Sequence, residues 1–194
     1  MTIGMTMELL QAMKERRSIR KFKPDPVPKD LVKQLLANAM WAPSGMNTQP
    51  WKFYVLTGAK RDAFAKISGE AIHALDAGLR ELFHDKMRYF IHGFFKNLGD
   101  APMVVVALTK ISSEKAYTQT SVESTSAAVQ NFLLLLQEAG LATCWMNGQA
   151  WVEKEIMEFL GETDHTLVAV LPIGYADQVP PVPPRKHENI VWLE

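Results

Sequence analysis

The chain has 194 residues, of which 47% are hydrophobic and 22% are charged. These fractions are close to the average for globular proteins, so a disordered or fibrous chain is excluded. Lys and Arg together number 21, and so do Asp and Glu. Because a general nucleic-acid-binding protein is usually strongly basic, the neutral balance argues against that class.

Signals for the cellular compartment come from three features. The longest apolar run, residues 101–108, is far shorter than the roughly 18 residues that a membrane-spanning helix needs. The N-terminus has no basic region followed by an apolar stretch, so no signal peptide is predicted. The single cysteine, Cys144, cannot form an internal disulfide or hold an iron–sulfur cluster by itself. We therefore expect a cytoplasmic protein without a membrane segment.

The first 57 residues are predicted to contain two helices and a strand. Apolar spacing indicates helices over residues 7–16 and from residue 29 to about residue 40. A loop over residues 41–50, rich in turn-forming residues, then leads into a strand at Trp51–Thr57. Aromatic and β-branched side chains in this last segment favour the extended conformation.

The middle of the chain is less clearly patterned. Residues 60–96 are predicted to be mostly helical, although Gly69, Gly78 and Gly93 weaken that assignment. The continuous apolar segment 102–109 is typical of a strand that is buried on both faces.

The last third predicts a long helix over residues 118–139 that ends at Gly140. Its second half is apolar nearly all the way round, so it must lie in a core or at a subunit interface. A short helix at Glu153–Leu160 and a buried strand over residues 166–173 follow, and then a proline-rich, extended tail at 179–184. The interleaving of strands and helices predicts a mixed α/β or α+β sheet that is covered by helices.

The most basic segment, residues 14–23, carries six Lys or Arg residues and one Glu. Three arginines in it, Arg16, Arg17 and Arg20, flank Ser18, and guanidinium groups with a hydroxyl suit a phosphate or another compact anion. A solvated basic helix end is the alternative that spacing alone favours. A nucleic-acid patch is weaker, because the rest of the chain does not extend it.

A second candidate site is the loop that precedes the first strand. Ser44, Asn47, Thr48 and Gln49 supply donors and acceptors between two prolines, and such groups suit a polyol or the edge of a heterocycle. An ordinary turn, in which these side chains bond to nearby backbone, explains the same residues equally well.

Four segments together resemble the nitroreductase family of FMN-dependent oxidoreductases. They are RRSIRKF at 16–22, APSGMNTQPWKF at 42–53, GLATCWM at 140–146, and VAVLPIGYAD at 168–177 followed by PPRK at 183–186. They occur in the family's order, and the first two are the most specific. Residues 60–96 match poorly and correspond to the family's variable helical region over the active site.

The resemblance implies an α+β fold: a central mixed, mostly antiparallel sheet covered by helices, in a single FMN-binding domain over residues 1–194. It implies an intertwined homodimer with FMN sites at the subunit interface. It also implies hydride transfer from NAD(P)H through flavin N5 to a nitro-organic, quinone or similar small acceptor, in a ping-pong scheme. The chain shows no GxGxxG after a strand and no P-loop motif. The flavin carries the chemistry, so no catalytic side chain and no metal are predicted.

The same resemblance assigns cofactor contacts. The basic segment holds the phosphate and the pyrimidine side of the ring, with Arg20 at the N1–C2 edge and Arg185 as a further phosphate ligand. Lys186 is either an additional ligand or a solvated lysine. The proline loop lies across the flavin of the other subunit, and residues 144–147 place backbone N–H groups near N5. The implied cofactor-binding residues are Arg16, Arg17, Ser18, Arg20, Pro43, Ser44, Gly45, Asn47, Cys144, Trp145, Met146, Asn147 and Arg185.

The cysteine, the histidines and the aromatic residues of the variable region do not by themselves indicate a catalytic or metal site. Cys144 has no His or acid at a telling spacing, so a small buried hydrophobe explains it better than a nucleophile. The five histidines show no metal-ligand spacing. Some residues in the variable region either line a substrate pocket or serve ordinary helix packing and solvation: His84, Tyr89, Phe90, His92, Phe94 and Phe95.

Two alternatives to the leading function stay open at this point. The loop's PSG-x-x-T-x-PW form resembles the deiodinase branch of the family, which implies reductive dehalogenation on the same fold. A non-catalytic module that holds an anionic partner through the basic segment is the more distant alternative, and its binding would weaken steeply with salt.

Overall fold

Four strands form the central sheet, and they pair antiparallel throughout. They are β1 (Trp51–Thr57), β2 (Met103–Lys110), β3 (Ala142–Thr143) and β4 (His165–Gly174), in the spatial order β1-β2-β4-β3. The computed structural model describes residues 7–185 and 189–193 of the chain. A parallel bridge between Ser18 and Thr143 extends the sheet beyond β3, which gives the mixed, mostly antiparallel sheet that was predicted.

Helices cover both faces of this sheet. Within the described residues they are α1 (Leu9–Glu15), α2 (Lys29–Ala39), α3 (Gly58–Gly69), α4 (Ala71–Leu82), α5 (Asp85–Asn97), α6 (Lys115–Glu138) and α7 (Glu153–Leu160). None of the helices in this part of the chain is both long enough and apolar enough to cross a bilayer.

The central strand β2 divides the core into two layers. Every residue of β2 up to Thr109 is buried, and successive side chains point to opposite faces. Val104 and Val106 pack in a cluster with residues of α3, α4, α5 and α7, such as Phe64. Val105 packs in a second cluster with residues of α2 and α6, such as Phe132. The strand is apolar throughout because neither face meets water.

Most predicted elements are confirmed. Strand Trp51–Thr57 and helix Glu153–Leu160 have the predicted bounds, and the two buried strands differ from the prediction by one residue at each end. Helix α1 is shorter than predicted, and α6 begins three residues earlier. Gly140 follows α6 with φ +72°, the left-handed conformation of a helix-ending glycine.

The variable region consists of three helices, and two of its glycines do not interrupt them. Gly78 lies inside α4 and Gly93 inside α5, at positions where an added Cβ would meet no atom within 4 Å. A glycine on an open helix face lowers helix propensity without ending the helix. The break between α4 and α5 falls instead at Phe83 and His84, where the His84 ring accepts a hydrogen bond (3.3 Å) from the Met87 N–H.

The apolar second half of α6 lies mainly in the core of its own chain. Phe132, Leu133 and Leu136 are buried, whereas Leu134 and Leu135 are half-buried beside α1. Of the two predicted locations, core or subunit interface, the first accounts for most of this surface.

Candidate functional site

The basic segment is anchored to the end of the sheet by its backbone. The Ile19 N–H donates to the Thr143 carbonyl at 3.0 Å, and the Phe22 N–H donates to the Gly99 carbonyl at 3.0 Å. Gly99 has φ +65°, and a Cβ at this position would lie 2.3 Å from the Arg20 carbonyl oxygen. Only glycine permits this close approach, so the turn after α5 fixes the position of Arg20.

The arginines of the chain fall into two groups. Arg61, Arg80 and Arg88, all in α3–α5, each pair with an aspartate within 4 Å. Within residues 7–185 and 189–193, no carboxylate lies within 4 Å of the other four guanidinium groups. These four are the predicted phosphate-side arginines Arg16, Arg17, Arg20 and Arg185.

Two of these arginines, distant in sequence, influence each other's charge. Burial lowers the pKa of the Arg16 guanidinium, and the positive charges of Arg185 and Arg17 lower it further. The C-terminal Arg185 therefore lies near the N-terminal basic segment. Lys186, the other residue considered there, lies outside the described residues.

The side chains of Arg17 and Arg20 differ in how firmly the backbone of the basic segment holds them. Arg17 Nη1 donates to the carbonyls of Lys14 (2.6 Å) and Arg16 (2.8 Å), which holds the side chain against the end of α1. Arg20 Nη1 makes only a long contact, 3.4 Å, with the Ser18 carbonyl. The half-buried guanidinium of Arg20 thus keeps most of its donors for another partner.

Cys144 lies buried beside this cluster. Burial raises the pKa of its thiol, and the charges of Arg20 and Arg16 and the Ser18 hydroxyl only partly oppose that effect. A thiol that stays protonated is a poor nucleophile, which agrees with its interpretation as a small buried hydrophobe.

The backbone after Cys144 supplies hydrogen-bond donors, with one exception. The Met146 N–H donates to the Val170 carbonyl at 3.0 Å, so it already has a partner within the chain. Among the described residues, the N–H groups of Trp145 and Asn147 donate to no carbonyl or side chain. The Trp145 indole N–H donates to the Asn147 side-chain oxygen. Two of the four predicted donors therefore remain for a ligand or water.

The proline loop packs against the first half of α6. The Gly45 N–H donates to Ser124 Oγ at 3.2 Å, and a Cβ at Gly45 would lie 2.7 Å from the Thr120 methyl carbon. Ser44 Oγ accepts the Gln49 N–H at 3.0 Å, as the turn interpretation predicted. The loop carries exposed Pro43 at its start, and its tip is exposed at Met46 and Asn47, which both have positive φ.

Within one chain, the loop and the basic segment lie beside opposite halves of α6. The loop contacts Ser124, whereas Arg17 lines a groove with Gln137. Thirteen residues of helix separate these two positions, which is about 20 Å at 1.5 Å per residue. The structure therefore brings Arg16, Arg17, Ser18, Arg20, Cys144 and Arg185 together, and it leaves Pro43, Ser44, Gly45 and Asn47 apart from them.

A cleft of about 770 Å³ has Arg20 among its lining residues. Among the aromatic residues considered from the sequence, Phe90 lines it, whereas Phe94 and Phe95 are buried in the core and Tyr89 is exposed. The remaining lining residues, apart from Arg20 and His84, were not predicted as site residues. The full lining is Arg20, Phe83, His84, Lys86, Met87, Phe90, Ile91, Gln178, Pro180 and Pro181.

Comparison with known proteins gives the family. A model of the nitroreductase family matches residues 13–175. The chain belongs to the nitroreductase family. A nitrobenzene nitroreductase of Ectopseudomonas oleovorans is 27% identical over 196 residues, covering 85% of each chain. A 4-nitrobenzoate reductase of Pseudomonas putida is 28% identical over 192 residues, covering 84% of this chain and 83% of the relative.

Solved structures of other nitroreductase-family proteins share the fold over nearly the whole chain. The FMN and NADPH-dependent nitroreductase NfnB from Sphigopyxis sp. strain HMH has a TM-score of 0.74 at 26% identity, covering 97% of this chain and all of its own. A nitroreductase-like protein from Bacillus cereus has a TM-score of 0.79 at 25% identity, covering 100% of both chains. Iodotyrosine deiodinase bound to FMN and 3-iodo-L-tyrosine has the same fold, with a TM-score of 0.76 at 24% identity, covering 96% of this chain and 100% of the deiodinase chain.

Proposed function

We propose that this protein is a homodimeric FMN enzyme that takes hydride from NAD(P)H and delivers it to a nitro-organic, quinone or similar small acceptor by a ping-pong mechanism. The family match and the NADPH-dependent, FMN-dependent relative support a flavin oxidoreductase. One observation carries the assignment: four guanidinium groups lie around Ser18 and Cys144 without a carboxylate partner among the described residues.

The donor set fits FMN. Arg16, Arg17 and Arg185 would hold the dianionic phosphate, since guanidinium groups match phosphate oxygens in charge and geometry. Arg20, which Gly99 fixes in place, would face the pyrimidine edge of the ring. The N–H groups of Trp145 and Asn147 would donate to the ring atoms, and backbone donors need no particular side chain.

FMN, when bound, supplies the reversible two-electron chemistry. The protein contributes orientation, electrostatics and the exclusion of water. The arginines provide a fixed positive field, and Cys144 stays a protonated, buried thiol that takes no part in proton transfer. The chain has no GxGxxG or P-loop motif for a separate nucleotide site. This supports a scheme in which NAD(P)H and the acceptor bind in turn at the flavin.

The homodimer is proposed because one chain does not assemble all the predicted contacts. The proline loop lies about 20 Å along α6 from the basic segment, so the two segments that meet at one flavin would come from two chains. Trp41 and Met46, which flank and form that loop, are 88% and 84% exposed. Large apolar side chains that exposed are typical of a surface that another subunit covers.

The test is a spectrum of the purified protein. We expect flavin absorbance in the visible range, at one FMN per chain, and bleaching by NADH or NADPH under anaerobic conditions. Double-reciprocal plots against both substrates should give parallel lines, as a ping-pong scheme requires. Protein that stays colourless after incubation with FMN, or a flavin that no nicotinamide reduces, contradicts the proposal.

Reductive dehalogenation is the second candidate. The PSG-x-x-T-x-PW form of the proline loop favours it, and the deiodinase shares the fold. A halogenated amino acid carries an ammonium group, however, and no carboxylate lines the cleft beside Arg20 within the described residues. Selective turnover of a halotyrosine over nitro compounds by the reduced enzyme would make this the better assignment.

A further inference from the structure

The cleft beside Arg20 combines apolar rings with positive charge. Phe83 and Phe90 are 42% and 44% exposed, so their rings are accessible in the cleft. Lys86 lines the same cleft and is exposed, and Arg20, whose charge acts on Cys144, also lines it. The volume of about 770 Å³ lies within the range of about 300–1,000 Å³ that is usual for small-molecule sites.

The carboxylates near this cleft pair with other basic side chains. Asp85 stands beside Lys86 in sequence, but its Oδ1 lies 2.9 Å from Arg88 Nη1. Asp76 binds Arg80, Arg88 and His92. As a result, the part of the cleft that the structure describes is lined by two permanent cations and by no carboxylate.

His84 adds a neutral donor to this lining. Its Nδ1 accepts the Met87 N–H at the start of α5, at 3.3 Å. When one ring nitrogen accepts a hydrogen bond, the proton of the neutral imidazole lies on the other, so Nε2 is the donor. This hydrogen bond at the start of α5 therefore fixes the ring tautomer, and a bound ligand would meet the Nε2–H group of His84.

We propose that this cleft selects flat aromatic acceptors that carry an anionic substituent, with Lys86 as the specificity-determining residue. The inference rests on the proposed function, because it concerns the acceptor of that same site. Phe83 and Phe90 would pack on the aromatic ring, and the Lys86 ammonium would attract the anionic group. Arg20 remains with the cofactor.

The experiment compares two acceptors and three variants of the holoenzyme. The acceptors are 4-nitrobenzoate, which is anionic, and 4-nitrobenzyl alcohol, which is neutral and similar in size. Lys86→Gln removes the charge and Lys86→Arg keeps it. Lys96→Gln is the matched control, since Lys96 is an exposed lysine of the same helix that does not line the cleft.

We expect Lys86→Gln to lower kcat/KM for 4-nitrobenzoate about five-fold, an effect typical of one partly exposed charge pair. Turnover of the neutral acceptor, and both activities of Lys86→Arg and Lys96→Gln, should stay within about two-fold of the wild type. Titration calorimetry should show the same loss of 4-nitrobenzoate binding in Lys86→Gln, which gives a measure independent of turnover.

Three results would overturn the inference. An equal loss for both acceptors would mean that Lys86 does not recognise charge. A slower reduction of the flavin by NAD(P)H, with acceptor kinetics unchanged, would mean that Lys86 contacts a phosphate of the dinucleotide. Unchanged calorimetric binding of 4-nitrobenzoate would exclude a contact altogether. A protein that binds no FMN would instead contradict the proposed function, which the absorbance spectrum reports separately.

Discussion

At the scale of single residues, the arginines form two groups: one that pairs with aspartates of the same chain, and one that is assigned to cofactor binding. Each arginine of α3–α5 pairs with an aspartate, and the Arg88–Asp76 pair joins α5 to α4. Burial lowers the pKa of Arg16, and the positive charge of Arg185 lowers it further, so these two guanidinium groups repel each other. Like charges brought together raise the free energy of the folded protein, and an anion between them reverses the sign of that contribution.

Arg185→Ala should therefore weaken cofactor binding without destabilising the apoprotein. Charge-assisted hydrogen bonds contribute about 1.5–3 kcal/mol, so the FMN dissociation constant should rise about 10- to 150-fold. The melting temperature of the apoprotein should stay the same or increase, because a repulsion with Arg16 is removed. Fluorescence titration with FMN and thermal unfolding measure the two effects.

Arg80→Ala is the matched control for this prediction. Arg80 pairs with Asp76 on α4 (2.7 Å) and lies outside the basic cluster, so its loss should leave FMN affinity unchanged. Arg17→Ala is less clean, because Arg17 also donates to two backbone carbonyls of its own helix end. Equal flavin retention in wild type and Arg185→Ala would contradict the assignment of Arg185.

At the scale of elements, a charge network ties α4 to α5. Asp76 of α4 binds Arg80 on its own helix and Arg88 and His92 on α5. The hydrogen bond from His92, with those from Arg80 and Arg88, lowers the pKa of Asp76 to about 2. Helix α5, which lines the cleft, is thus joined to α4 by one carboxylate as well as by apolar packing.

The network predicts a specific loss of stability in acid. Because the pKa of Asp76 is about 2 in the folded protein and 3.8 is its ordinary value, the folded state binds this proton more weakly than the unfolded chain. Its contribution is complete above pH 3.8 and disappears as the pH falls toward 2. Asp76→Asn should lack this contribution at neutral pH and show a flatter decline of the urea midpoint between these pH values.

Asp85→Asn provides the comparison, since Asp85 also pairs with Arg88 but is 98% exposed. Its urea midpoint should follow the wild type closely over the same pH range. Identical acid profiles for wild type and Asp76→Asn would show that the network does not stabilise the α4–α5 pair.

The elements were predictable from sequence where local signals and tertiary environment agree. Strand Trp51–Thr57 is rich in β-formers, and Gly161 ends α7 with φ +71°, so both were assigned with correct bounds. The two-residue strand Ala142–Thr143 was missed, because it exists only through pairing with β4 and Ser18. No local pattern marks so short a strand.

The site was predictable only in part, for the same reason. Basic and hydroxyl side chains at 16–20 indicated an anion site, but spacing could not show that Gly99 fixes Arg20 or that Arg185 lies near Arg16. Lys86 gave no motif at all. Its place in the cleft depends on the turn at His84, which the sequence did not locate.

At the scale of the whole molecule, α6 determines how the site is shared. Its 24 residues place the proline loop beside the first half and the basic segment near the C-terminal end. Under the proposed assembly, each flavin would be held by the basic segment of one chain and the loop of its partner. This arrangement can be tested by combining two defective variants.

Arg17→Ala should disable the basic segment, and Ser44→Ala with Asn47→Ala should disable the loop. Each variant alone should retain little FMN. In a heterodimer of the two, one site combines both defects and the other combines two intact segments, so co-expression should restore up to one FMN per dimer. Tagging the variants differently and purifying the heterodimer allows the flavin content to be measured directly. If the loop acted within its own chain, no site would be intact and no flavin would return.

The separation of these segments along α6 has a further consequence for how the holoenzyme arises. A newly made polypeptide that has not met a second copy offers only half of the contacts, so loading with the vitamin-derived cofactor would follow pairing rather than precede it. By mass action, the bound cofactor would in turn hold the two copies together. Yellow colour in a very dilute sample would then report how many molecules are still associated.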